Sequence, residues 1–480
     1  MNRTQVDIVV VGGGGSGLAA AIEAREAGAH VILLEKNSAL GGSTSWSIGS
    51  VSATQTPHQR AKGIVDNPSD HWEDMPGFAG DLAARDNDEL RKILCDEVPS
   101  AFQWLLDSGV RFMGPMPEPP HRQPRMHNVL PNSRSFIYHL ERRARRAGVE
   151  IWTSSRVQRL LQDNGRVTGV VLDRDGRQTE VLGEKGIILA AGDFTNSAEL
   201  KARFMGPREA KVEAINMTAT GDGQVMAEKL GATIINGDLA LGPELRFVPP
   251  SKETLIRRLP PWPALAVLMQ WSIDYLPQVI LRPFLMQFLT TALAPSLELF
   301  KAGAVLVNQY GREVKENAEK LAYALADEPG NRGWIVFDQS VAARFSKWPN
   351  FISTAPGVAY AYLPDYARNR KDIYAQASTP AQLAQKLGMD ADSLLNALGA
   401  GGQGPYVALG PVRSVFVHNE GGLKVDTQHR VLDSDDQVIE GLYAVGSTGQ
   451  GGLLLKGHGH HLAWAFVSGR RAGRLVAALT

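Results

Sequence analysis

The sequence predicts an α/β protein built on a parallel sheet, with a second, α+β domain inserted into it. Three observations predict this: a glycine-punctuated βαβ unit at the start, two distant apolar strands that end in glycine, and a stretch between them where the βα rhythm is lost. Asp7–Gly12 reads as a buried parallel strand and Ser16–Ala27, rich in alanine, as a helix ended by Gly28. His30–Glu35 supplies the second strand. Gly12, Gly14 and Gly17 fall at the strand-to-helix turn, where they permit the tight turn, the approach of a pyrophosphate to the backbone, and close packing of helix on sheet. Glu35, ending the second strand, suits ribose hydroxyls and repels a 2′-phosphate, so a dinucleotide with an unphosphorylated adenosine ribose is expected.

Gly186–Asp193 and Glu440–Gly446 have the same style and are expected to rejoin the first sheet at its ligand-binding end. Between them prolines cluster at 249, 250, 260, 261 and 263. The chain is therefore divided into one domain from residues 1–236 and 416–480 and an inserted domain from 237–415. Within the insertion, Pro263–Leu297 carries only Asp274 and Arg282 as charges, with Trp271, Tyr275, Phe284 and Phe288 among its apolar residues. Asp274 and Pro277 interrupt what would otherwise be a span. Four readings of 263–297 stand: buried core, an apolar substrate entrance, a peripheral membrane contact, for which Arg257 and Arg258 suit a headgroup region, or a true span.

Fifty Lys and Arg balance fifty Asp and Glu, so no nucleic-acid partner is expected. The single cysteine, Cys95, excludes an internal disulfide framework and a cysteine-rich metal site. With no signal-peptide-like start, the expected location is cytoplasmic, with peripheral membrane association resting on 263–297.

With Gly41–Ser45, Thr220–Gly223 and Gly441–Gly446 added to the first motif, the sequence resembles the fumarate reductase/succinate dehydrogenase flavoprotein superfamily over nearly its whole length. The resemblance implies a discontinuous Rossmann-like FAD-binding domain, a capping domain at 237–415, and an active site between them. It places FAD on the glycine turn (Gly12, Gly14, Gly15, Ser16, Gly17), on Glu35 and Lys36, and along Gly42, Ser43 and Thr44. Later returns of the chain, at Val157, Ala191, Gly192, Asp222, Gly446, Ser447 and Leu462, complete the set. Ser447 stands where many members carry a glutamate. No histidine lies within 38–46, so the FAD is expected to be non-covalent.

Val305–Gly311 matches a stretch that leads, in fumarate reductases, to a proton-donating arginine, and no arginine follows at that place. In 3-ketosteroid dehydrogenases a tyrosine stands about five residues past the Asn, and with a one-residue shift the resemblance makes Tyr323, six past Asn317, its counterpart; Gly333–Gln339 continues in the same style. The sequence is thus closest to the ketosteroid dehydrogenase branch. Leu455–Gly459 keeps that branch's terminal glycine, so Gly459 N–H would bind an enolate oxygen, but has Leu455 in place of a tyrosine. Lys456 falls where fumarate reductases bind a carboxylate; it faces a substrate anion, reduced flavin, or solvent. His458 or His460 could act as acid, base or oxygen ligand. His458, His460 and His461 on a glycine loop do not define a tetrahedral site, so no metal is expected. His121, Met126 and His127 either cover the far side of the pocket or form a loop. Glu298 and Lys301 are a proton relay or a surface ion pair.

The resulting expectation is flavin-dependent α,β-desaturation of a cyclic or bulky hydrophobic ketone. Tyr323 takes the α-proton and the β-hydride goes to flavin. The alternative is reduction of an activated alkene or unsaturated carboxylate gripped by Lys456. Expected partners are a small hydrophobic ketone or oxo-acid and an external electron acceptor such as a quinone. A non-catalytic FAD-holding subunit is the reading from another class.

Overall fold

The computed structural model describes residues 2–174, 176–250, 258–277, 281–282, 286–287, 289–291, 293–355, 359–399 and 401–480. Arg257, Phe284 and Phe288 lie outside them, as does the side chain of Asp274.

Five parallel strands run through the eight-stranded first sheet, in the order Val438–Ala444, Arg177–Leu189, Asn2–Val11, Val31–Leu34 and Glu150–Trp152, with Arg430–Leu432 antiparallel at one edge and Arg166–Arg174 and then Ser155–Asp163 added antiparallel on Arg177–Leu189. Ile8 is opposite Val31 on one side and Gly186 on the other. Ile8–Val10 and Val31–Leu33 have no exposed surface, so the strands read as continuous apolar runs, as parallel strands covered on both faces must. The helix Gly15–Glu26 packs against the C-terminal helix His460–Ala477. Ala19, Ala20, Ala21 and Ala24 are fully buried along it, the small side chains letting the layers approach closely.

A second, mixed sheet is centred on Tyr406–Phe416, which pairs with Glu244–Phe247, Gly333–Phe337 and Tyr374–Ala377. Val305–Asn308 extends it, and the short strand Glu213–Ala214 joins at Val415 and Phe416. It has its own core around Phe337, Phe345, Tyr366 and Leu409.

The helix Pro263–Tyr275 stands over the space between the sheets. Of its described residues only Ala266 is buried, so this helix is not core. Trp262, Val267, Leu268, Trp271 and Tyr275 face outward, Tyr275 being 72% exposed. Among the described residues no helix is long and apolar enough to cross a membrane.

Candidate active site

A cavity of about 1070 Å³ runs from the carboxyl ends of the first sheet to the second sheet and the helix Pro263–Tyr275. Its first stretch is the glycine turn. Gly12 has φ +115°, and a Cβ there would overlap the Ala190 carbonyl; a Cβ on Gly17 would overlap the carbonyl of Gly12. Gly12, Gly14, Gly15 and Ser16 line the cavity, while Gly17 lies behind the wall and carries the packing of helix on strand.

Glu35 sits on the wall, its Oε2 accepting from Gly13 N at 2.8 Å and its Oε1 from Asn37 N at 2.8 Å. Lys36 Nζ donates to Asp222 Oδ2 (2.9 Å) and Thr220 Oγ1 (2.7 Å). Burial pushes the Asp222 carboxyl up, but Lys36 and Arg156 outweigh it and hold the group below its ordinary range. Gly15 N donates to Thr44 Oγ1 (3.1 Å) and Asn216 Nδ2 to Ser43 Oγ (2.9 Å), fixing the segment that follows the second strand. Gly42, Ser43, Thr44, Val157, Ala191, Gly192, Asp222, Ser447 and Leu462 line the same cavity. Gly446 is one layer back, its N–H donating to Ser468 Oγ at 2.9 Å.

This end is an elongated trough of backbone beginning at a helix N-terminus, with glycines where a side chain would fill it. A dinucleotide fits that donor set: N–H groups for phosphate and a carboxylate at the ribose end. Among the described residues 38–46 no side chain of the histidine type used for covalent attachment is present.

Beyond the trough the wall changes character. Leu259, Leu265, Met269, Ile273, Leu276 and Leu281 form an apolar side, and Arg246, Arg413, His418 and His461 a polar corner. The imidazoles of His418 and His461 lie 3.7 Å apart between centroids. Behind them is Glu420, fully buried, whose Oε1 is 3.7 Å from His418 Nε2, 3.6 Å from His461 Nε2 and 3.6 Å from Lys456 Nζ. Its Oε2 accepts from Gln450 Nε2 and from Leu455 N. Burial raises Glu420, but His461 and His418 hold it well below the carboxylate range. Burial, then His461, depresses His418 despite Glu420, which favours a neutral imidazole. Asp193, also on the wall, is pushed up by burial.

None of the five expected catalytic residues reaches the cavity wall. The helix Leu321–Asp327 turns Leu321, Ala322, Leu325 and Ala326 inward, leaving the Tyr323 ring under Arg208, 5.5 Å from its guanidinium carbon. Burial and then Glu209 raise the Tyr323 phenol further, the wrong direction for a base. Gly459, at φ +91°, caps the C-terminal helix against the backbone of Val51 and Ser52. His458 is held outward by Glu118, whose hydrogen bond raises its pKa. His460 points away from the cavity while its neighbour His461 points into it, as residues about 100° apart on a helix do. Lys456 stands behind the wall, against Glu420.

Other expectations resolve in place. Met126–Leu130 is a strand with His127 buried behind it, and Asn128–Pro131 line the cavity. His121 packs with His460 instead. Glu298 and Lys301 form an exposed ion pair at 2.8 Å. His418 and Glu420 were not singled out by sequence; their signal is a histidine and a glutamate two apart, just before Gly421-Gly422, at the end of a long strand.

A family profile described as an FAD binding domain matches residues 7–254 and 282–454. The NADH:fumarate oxidoreductase of Klebsiella pneumoniae (strain 342) is 26% identical over 471 residues, covering 92% of this chain, and the chain spans 44% of that relative's length. The open conformation of a flavocytochrome c3 fumarate reductase superposes with TM-score 0.72 at 24% identity, covering 99% of this chain and 78% of that one. A 3-ketosteroid-Δ4-(5α)-dehydrogenase from Rhodococcus jostii RHA1 superposes with TM-score 0.62 at 22% identity, covering 99% and 97%. Both structures share the fold.

Proposed function

Because the chain belongs to the FAD-binding domain family, with FAD as the cofactor of its glycine-lined trough, we propose that it is an oxidoreductase that desaturates a bulky, uncharged ketone. The observation that carries this reading is the apolar wall of Leu259, Leu265, Met269, Ile273, Leu276 and Leu281 facing the His418–His461 corner. Cations there already face carboxylates: Arg246 is paired with Glu244, Arg413 with Glu213, and Lys456 lies by Glu420. An uncharged ketone draws on none of these cations.

Glu35 would take the ribose, the Gly12–Ser16 turn the pyrophosphate, and Ser43, Thr44, Ala191, Gly192 and Ser447 the rest of the cofactor, with residues 237–415 as the cap over it. Bound FAD supplies the two-electron hydride acceptor. His418 takes the α-proton on the ring nitrogen turned away from Glu420, and the carboxylate stabilises the imidazolium that forms. His461 donates to the ketone oxygen as charge develops on it. The α-proton would leave to His418, while FAD held by Glu35, the Gly12–Ser16 turn and Ser447 would supply the hydride acceptor when bound, and an external acceptor would take up the two electrons. The outward Trp262, Trp271 and Tyr275, with exposed Arg258 beside them, suit a bilayer interface, which favours a quinone as that acceptor.

Reduction of an activated alkene is the second reading, favoured by the name of the Klebsiella relative, an NADH:fumarate oxidoreductase. Anaerobic titration of the yellow protein with saturated cyclic ketones, ketosteroids and oxo-acids separates the two. Bleaching of the oxidised-flavin band by a bulky ketone is expected. No bleaching, with dithionite-reduced protein reoxidised by an enone or unsaturated acid, would assign the reverse direction.

A further inference from the structure

Outside the cavity, His71, His121 and His460 meet in the interior, from the helix Pro68–Asp74, the loop after Met116 and the first residue of the C-terminal helix. Their ring centroids form a nearly equilateral triangle with sides of 5.2, 5.2 and 5.5 Å. One ring nitrogen of each lies within 4.8 Å of the others. His71 Nε2 and His460 Nε2 are 3.3 Å apart; two Zn–N bonds of about 2.0–2.1 Å at the tetrahedral angle would separate their nitrogens by roughly 3.3–3.4 Å. His460 Nδ1 donates to the Lys456 carbonyl, which leaves its Nε2 as the acceptor of the His71 Nε2 hydrogen bond, the lone pair a metal would take over. His121 Nε2 is buried with no hydrogen-bond partner, and the His121 side chain is 0% exposed.

We propose that His71, His121 and His460 form a binding site for a divalent first-row metal ion, Zn²⁺ by ligand type, that clasps the start of the C-terminal helix to the N-terminal half of the chain. All three imidazoles are buried, out of reach of competing solvent. His121 Nδ1 now accepts from Arg125 Nη1 at 2.7 Å, with Asp74 Oδ2 3.9 Å away. A metal on Nε2 would put the proton on Nδ1, which requires Arg125 Nη1 to withdraw and makes Asp74, now 3.9 Å away, the carboxylate that could accept it. Glu118, whose Oε2 is buried without a partner, adds negative charge beside His460. The other candidate cluster, His418, Glu420 and His461, already has the Lys456 ammonium 3.6 Å from its carboxylate, so its cation position is taken by a side chain.

The test is the zinc content of the FAD-loaded protein after dialysis against ZnCl₂ and then against metal-free buffer. Wild type and His461→Ala should each keep about one zinc per chain, His121→Ala less than a tenth of that, and Asp74→Asn should weaken affinity about 10–100-fold. Should His121→Ala fail to retain FAD, the wild-type thermal midpoint decides: ZnCl₂ must raise it and EDTA must reverse the rise. Wild type without stoichiometric zinc, zinc retained by a folded His121→Ala, zinc lost on His461→Ala, or an unmoved midpoint would each overturn the proposal.

Discussion

His460 and His461 are consecutive, yet they serve two clusters of opposite character. His460 joins His71 and His121 in a group of three imidazoles with no carboxylate among them, while His461 joins His418 around the buried Glu420 at the cavity corner. Three neutral imidazoles offer lone pairs and suit a cation from outside. Two imidazoles flanking a carboxylate that is itself faced by Lys456 suit proton transfer. His71, His121 and His460 are buried while His418 and His461 are half-buried on the cavity wall, and the two clusters differ further in whether a carboxylate stands within the cluster.

The comparison breaks or sharpens at defined points. His418→Gln, which keeps a polar group but removes the base, is expected to slow single-turnover flavin reduction about 10²–10⁴-fold while the flavin spectrum is retained. Glu420→Gln is expected to cost about tenfold and to shift the pH profile. The reaction needs neutral His418, so its rate falls as pH drops through the His418 pKa, which burial keeps below the ordinary value of about 6.5. Removing the Glu420 charge, which raises that pKa, moves this acid limb to still lower pH, as rate measurements from pH 4 to 8 would read directly. Thermal melts over the same range probe buried histidines outside both clusters. His127 and His429 are each depressed to about 3, first by burial. The unfolded chain therefore binds their protons first as pH falls below about 6.5, and stability drops by roughly 1.4 kcal/mol per pH unit for each of them until it nears 3. Lys456→Met, at a residue behind the wall, is expected to change the KM for an uncharged ketone less than about threefold; a large rise would return Lys456 to substrate binding.

Much of the trough was legible because its parts are close in sequence: Gly12–Gly17 and Glu35 belong to one βαβ unit whose geometry forces their roles. The α/β class followed from the same unit and from the apolar runs at 186–193 and 440–446. The polar corner was not legible, because His418 and His461 on the cavity wall and Glu420 behind them are brought together only by the packing of distant segments. Tyr323 is at a suggestive count from Asn317, but a count gives no helical phase, and the inward face of Leu321–Asp327 belongs to leucine and alanine. His458 was drawn outward by Glu118, a residue 340 positions away. Residues 263–275 illustrate a different gap: an apolar helix with one side on the cavity and the other exposed has the composition of a core helix, and only its docking reveals two faces.

The most direct test of the account sets His418→Gln against Tyr323→Phe in the same anaerobic stopped-flow experiment, with the ketone that best bleaches the wild-type flavin. At least a hundredfold loss of flavin-reduction rate is expected for His418→Gln and a change of less than about twofold for Tyr323→Phe. Near-normal reduction by His418→Gln, or a large loss in Tyr323→Phe with FAD retained, would contradict it and move the base to the helix Leu321–Asp327.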